Sequence, residues 1–168
     1  MGSTQLEKSL GMKTIHQLGF VKLLDVMGDD EEVENSARIS YGEGTRKVNQ
    51  TRNLIRYLMR HKHTSPFEMC EVKFHLKLPI FIMRQLVRHR TANLNEYSGR
   101  YSVMSNEYYL PEADYLQKQS STNNQGRGEV HSSTGLLHFE FNRVYDNAHI
   151  AYENLLNQKL TKELARAV

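Results

Sequence analysis

From Met69 to Leu78 apolar and polar residues alternate, with Cys70, Val72, Phe74 and Leu76 on one side of the repeat and Glu71, Lys73, His75 and Lys77 on the other. A period of two predicts a β-strand with one dry and one wet face. Phe20 to Val26 reads as a further strand, closed by Gly28-Asp-Asp. Those aspartates suit the cap of a helix that begins near Glu31 and runs toward Ser40.

Elsewhere the period lengthens. After the loop Tyr41-Gly-Glu-Gly-Thr45, Leu54, Ile55, Leu58 and Met59 recur at helical spacing and predict a helix from about Arg46 to His61. Pro79, which has no N–H to satisfy, suits the first position of a helix extending to Arg90. In that helix Ile82, Met83, Leu86 and Val87 form a core face, while Gln85, Arg88 and His89 share another at i, i+3 and i+4. Leu137, Phe141, Val144, Tyr145, Ala148, Tyr152 and Leu155 mark a long amphipathic helix from about Gly135 to Asn157. Thr161 is placed to cap a shorter helix running to Val168. Ser120 to Gly128 has turn-forming composition and no core pattern, so residues 117–133 are expected to be a mobile surface loop. These elements predict a single α/β (α+β) domain: a mostly antiparallel central sheet flanked by helices, with a helical second half.

Composition adds bounds. A chain of 168 residues with 39% apolar content can build one modest core. No apolar run approaches the roughly 20 residues that span a bilayer, and Met1 to Lys8 lacks a basic segment leading into an apolar one. A cytoplasmic protein is therefore expected. The single cysteine, Cys70, excludes an intramolecular disulfide, and its place in the strand pattern suits a buried structural thiol better than a nucleophile. Net charge is only +3, but from Lys77 to Arg100 five Lys and Arg residues face one glutamate, Glu96. That patch attracts phosphate, whether of a nucleotide or of a nucleic acid.

The chemistry concentrates in Arg88-His-Arg-Thr-Ala-Asn-Leu-Asn-Glu-Tyr-Ser-Gly-Arg-Tyr101. Guanidinium groups recognise phosphate oxygens bidentately, while amides, a hydroxyl and a carboxylate orient a base or a ribose. Cations at a helix end often only complement its dipole, yet the ordered polar run through Ser98-Gly99-Arg100 goes beyond that role. Ser98 has no Asp-His pair beside it in the pattern and no G-x-S-x-G elbow, so it reads as a ligand-binding serine. Glu96, one carboxylate among arginines, should stay ionised. His61, His63, Glu68 and His75 lack the spacing of a His-Glu-x-x-His site, and no metal is expected.

The run resembles the Arg-His-Arg-x7-Ser motif of the flavin-dependent thymidylate synthases, the ThyX family, with its following Ser-Gly-Arg-Tyr. The likeness extends in order through Gly19–Gly28, Ala37–Tyr41, His63–Glu68, Pro79–Gln85 and Leu164–Val168, and is weakest from about Gln117 to Ser133. It implies a ThyX-like fold and the reductive methylation of dUMP to dTMP. FAD would be the redox centre, NADPH the reductant and methylenetetrahydrofolate the carbon donor. By the same resemblance Ser65, Glu68, Arg88, His89, Arg90 and Glu96 would face FAD, and Gln85, Arg88, Glu96, Tyr97, Ser98, Gly99, Arg100 and Arg166 would bind dUMP. A flavin route also suits a chain with no cysteine in the polar run. The family implies a homotetramer with shared sites. It also implies a further segment after Val168, carrying flavin contacts and an arginine near the pyrimidine, so a chain that ended at Val168 is expected to be inactive. Two alternatives remain: a basic nucleic-acid-binding module, which the low overall charge disfavours, and a non-catalytic scaffold of the same fold.

Overall fold

The structure, a computed structural model, describes residues 11–40 and 51–168. The loop at Tyr41–Thr45 and the start of the helix expected from Arg46 lie outside the described residues. The chain divides into two compact units, Met1–Leu78 and Pro79–Val168. The boundary falls between a strand and a proline-started helix, where no polar linker marks it.

In the first unit β1 (Met12–Thr14), β2 (Phe20–Met27) and β3 (Glu71–Lys77) form an antiparallel sheet in the order β1-β2-β3. Phe20 lies opposite Lys77 and Met27 opposite Glu71, with an irregularity between Leu23 and Asp25. Leu23 pairs with Phe74 and Asp25 with Lys73, which leaves Leu24 as an extra residue. An inserted residue reverses the facing of everything after it. That is why the buried side chains of β2 are Leu23 and Val26, three apart rather than two.

Helix α1 (Asp30–Arg38) starts at Asp29, whose Oδ1 accepts the N–H groups of Glu31 at 2.9 Å and Glu32 at 3.1 Å. Such a cap stabilises a helix by about 1 kcal/mol. Val33 of α1 and Leu58 of α2 (Thr51–Arg60) are the other buried hydrophobic side chains of this unit among the described residues, and the two helices pack together. Helix α2 stops at Lys62, which takes a left-handed φ of 57°. His63 N–H bonds to Leu58 C=O and Lys62 N–H to Met59 C=O, a Schellman stop without the usual glycine. The expected dry face of β3 is only half realised, since Val72 and Phe74 stay about half exposed.

The second unit opens with α3 (Ile80–Leu86), preceded by Pro79 at its cap. This helix is shorter than expected. Beyond Leu86 the chain continues as a tight turn in which Arg88 N–H bonds to Gln85 C=O and His89 N–H to Leu86 C=O. No residue of α3 is buried. An extended segment then leads to β4 (Gln117–Gln119) and β5 (Arg127–Val130). These strands pair antiparallel within the stretch expected to be a loop, and the expectation is corrected. The hairpin has no core pattern because both faces are wet and its bonds are polar. Gln119 Nε2 donates to the carbonyls of Asn123, Asn124 and Gly126, and Lys118 pairs with Glu129 at 2.6 Å.

Helix α4 (Thr134–Asn157) ends at a second left-handed lysine, Lys159 (φ 61°), and is followed by α5 (Lys162–Ala165). Thr161 occupies the N-cap position of α5, but that helix ends at Ala165 instead of continuing to Val168. The inner stripe of α4 also differs from the expected one. Phe141 and Val144 face outward, whereas His138 and His149 lie half-buried beside Tyr145 and Tyr152.

Candidate active site

The second unit gathers four of the predicted nucleotide residues, Ser98, Gly99, Arg100 and Arg166, at one turn. Ser98 C=O accepts the N–H groups of Tyr101 and Ser102, each at 3.2 Å, and Ser98 Oγ accepts Arg100 N–H at 3.3 Å. Helix α5 closes on this turn. Lys162 Nζ donates to Tyr101 C=O at 2.9 Å, and Arg100 Nε lies 3.2 Å from Glu163 Oε1. Gly99 is buried, and a Cβ placed on it would lie 2.9 Å from Met104 Sδ and 3.0 Å from Arg166 Cδ. Only glycine fits between those two side chains without displacing one. The outcome is a backbone bend flanked by two guanidinium side chains, chemistry that suits a phosphate or carboxylate.

The other candidates of this unit lie on α3 and in the chain after it. Gln85, Arg88, His89 and Arg90 are exposed, and neither arginine nor His89 makes an ion pair among the described residues. Glu96 lines an open cleft of about 350 Å³ with Ile80, Met83, Arg84, Val87, Leu94 and Asn95. Its wall joins an apolar helix face to one guanidinium, one amide and one carboxylate. Tyr97 is exposed, with its hydroxyl donating to Val103 C=O at 2.9 Å.

The periodicity reading missed a set of polar contacts that holds this region. His138, Tyr145 and Tyr152 recur at seven-residue intervals on α4. His138 Nε2 meets Pro111 C=O at 2.6 Å, Tyr145 hydroxyl donates to Tyr109 C=O at 2.9 Å, and Tyr152 hydroxyl accepts Met104 N–H at 3.0 Å. Because Pro111 offers only an acceptor, His138 must carry its proton on Nε2. Along α4 the three groups span about 21 Å at a 1.5 Å rise per residue. Their partners follow in the opposite order along the chain, Met104, Tyr109 and then Pro111, so this segment crosses the face of α4 antiparallel to the helix. Tyr108 stacks on Tyr145 with ring centroids 4.7 Å apart. Burial raises the pKa of both phenols, reinforced by Asp146 for Tyr108 and by Tyr109 for Tyr145. The seven-residue recurrence of hydrogen-bonding side chains was the signal available in the sequence.

In the first unit, Ser65 and Glu68 lie in the turn between α2 and β3. Phe67 N–H bonds to Thr64 C=O and Glu68 N–H to Ser65 C=O, which forms a tight turn around Pro66. Both residues are exposed. Nearby, Tyr57 and His61 rings lie 4.0 Å apart, and His61 Nδ1 bonds to Tyr57 C=O at 2.8 Å. The Cys70 thiol sits against Gly28 and points at Asp29 C=O. Burial raises its pKa, and the carboxylates of Asp29, Glu32 and Asp30 raise it further, which opposes a nucleophilic role. Among the described residues no His, Cys, Asp and Glu cluster could hold a metal ion, and no helix is long and apolar enough to cross a membrane.

Residues 22–168 match the family model described as "Thymidylate synthase complementing protein". The chain belongs to that family. It is 53% identical over 154 residues to a flavin-dependent thymidylate synthase of Ehrlichia ruminantium (strain Gardel), an alignment that covers 88% of this chain and 50% of the relative. A protein of the same name from Gluconobacter oxydans is 50% identical over 157 residues, with the same coverage. The chain thus spans about half the length of the curated relatives it matches. Its fold resembles the crystal structure of a UMP/dUMP methylase, PolB, from Streptomyces cacaoi bound with 5-Br dUMP. There the TM-score is 0.79 at 35% identity, over 89% of this chain and 66% of the other.

Proposed function

We propose that this chain forms the nucleotide- and flavin-binding part of a flavin-dependent thymidylate synthase, which converts dUMP to dTMP. The observation that carries the reading is the Ser98–Arg100 turn, held against Arg166 around a buried Gly99. Ser98, Gly99, Arg100 and Arg166 bind the dUMP phosphate, while Gln85, Arg88, Glu96 and Tyr97 orient the nucleoside. The donor set fits FAD as well, because Arg88 and Arg90 are exposed guanidinium groups without ion-pair partners among the described residues, with the exposed His89 imidazole between them. They hold the flavin nucleotide together with Ser65, Glu68 and Glu96. When bound, FAD supplies the redox capacity that NADPH charges, and methylenetetrahydrofolate supplies the carbon. The residues themselves bind, orient and exclude water, so their contribution is chiefly geometric. The working form is a cytoplasmic homotetramer with sites shared between subunits.

The visible spectrum of the full-length protein with FAD, recorded anaerobically before and after NADPH and with and without dUMP, tests this reading. Flavin bleaching whose course changes with dUMP is the expected result. A full-length protein that binds no flavin would overturn the proposal, and its basic patch would then be tested against nucleic acid by salt titration.

A further inference from the structure

We propose that Tyr152 is a positioning residue for the Ser98–Arg100 turn, acting through Met104; the nucleotide-binding role of that turn rests on the function proposed above. Tyr152 is the one buried side chain of α4, 6% exposed, and its hydroxyl accepts the backbone N–H of Met104 at 3.0 Å. Met104 in turn places its Sδ and Cγ against the α-carbon of Gly99, where a Cβ would lie 2.9 Å and 3.4 Å from them. Arg166 Cδ lies 3.0 Å from the same point. Because Gly99 is buried, its backbone cannot relax outward when Met104 moves. The hydroxyl of Tyr152 therefore fixes Met104, and Met104 fixes the bend that presents Ser98 and Arg100.

If Tyr152 were only a core ring, phenylalanine would serve equally well at this position. The hydroxyl instead satisfies a backbone donor five residues beyond Gly99, at the end of the His138–Tyr145–Tyr152 row nearest the turn. Tyr145 supplies an internal control. Its hydroxyl also ties α4 to the same segment, further along, but as a donor to Tyr109 C=O at 2.9 Å.

The test uses the full-length protein as wild type, Tyr152→Phe and Tyr145→Phe. Hydrogen exchange is followed at the Tyr101 and Ser102 amides, both of which bond to Ser98 C=O, and dUMP saturation is measured in parallel. Deleting the acceptor of this part-buried N–H is worth up to about a tenfold change. Tyr152→Phe should therefore speed exchange at Tyr101 and Ser102 by up to about tenfold and raise KM for dUMP with little loss of kcat. Tyr145→Phe should lower Tm comparably while leaving both readouts near wild type. Unchanged exchange in Tyr152→Phe, or equal effects of the two variants at the turn, would overturn the proposal. If the wild type does not bind dUMP but exchange still responds to Tyr152→Phe alone, the positioning role stands and the functional reading fails. Should Tyr152→Phe not fold, Met104→Ala removes the next link and must loosen the same two amides.

Discussion

At the Ser98–Arg100 turn nearly every group has a partner. Two amides share Ser98 C=O, Arg100 pairs with Glu163, Lys162 holds Tyr101 C=O, and Met104 and Arg166 enclose Gly99. At Arg88-His89-Arg90 the backbone turns tightly, but the side chains are exposed and make no ion pair among the described residues. The two regions are adjacent in sequence and similarly charged, yet they are built for different tasks. A turn already assembled binds an anion with little ordering cost. Free guanidinium groups each give up about 2 kcal/mol of rotamer entropy when immobilised, so they suit a large ligand that supplies many contacts.

Substitutions can break that contrast. The largest effect is expected from Gly99→Ala, whose methyl group must displace Met104 or Arg166. Overpacking of this kind costs about 1–3 kcal/mol, so dUMP affinity by calorimetric titration should fall about ten- to a hundredfold. Arg88→Ala should do the reverse of a structural lesion: flavin binding, read from visible absorbance, should weaken about tenfold or more through loss of a charge-assisted bond, while Tm stays unchanged. A Tm loss of several degrees would mean that the triplet is as tied as the turn.

Smaller changes sharpen the comparison. Glu163→Gln frees Arg100 from an exposed ion pair worth about 0.2–1 kcal/mol, so dUMP should bind about two- to fivefold more tightly, most visibly at low salt. Weaker binding would instead make Glu163 a necessary orienter of Arg100. Lys159→Gly should leave dUMP affinity alone and add about 1 kcal/mol of stability by denaturant titration, since glycine carries no left-handed penalty. A change in affinity would show that the stop between α4 and α5 also sets the turn.

Much of the secondary structure was legible because period and capping act locally. The alternation at Cys70–Lys77, the Asp29 cap and the long α4 helix all follow from neighbours within a few residues. Register was less legible. The extra residue at Leu24 moves burial from the expected alternation to Leu23 and Val26, and a bulge is decided by pairing with β3. The 117–130 hairpin was hidden for the opposite reason. Its strands are polar on both faces, so no hydrophobic period announces them.

The sequence by itself determined which chemistry is present: an arginine-rich run, a Ser-Gly-Arg bend and a helix placed to follow it. Those are properties of residue type and short spacing. Tertiary structure alone decided that Arg166 lies against Gly99, that Glu163 occupies Arg100, and that Tyr152 reaches Met104 from 48 residues away. Contacts of that kind depend on where a helix end and a turn meet in space. Local periodicity carries no record of such long-range closure, because each contact is fixed by the packing of whole elements rather than by the residues that flank it.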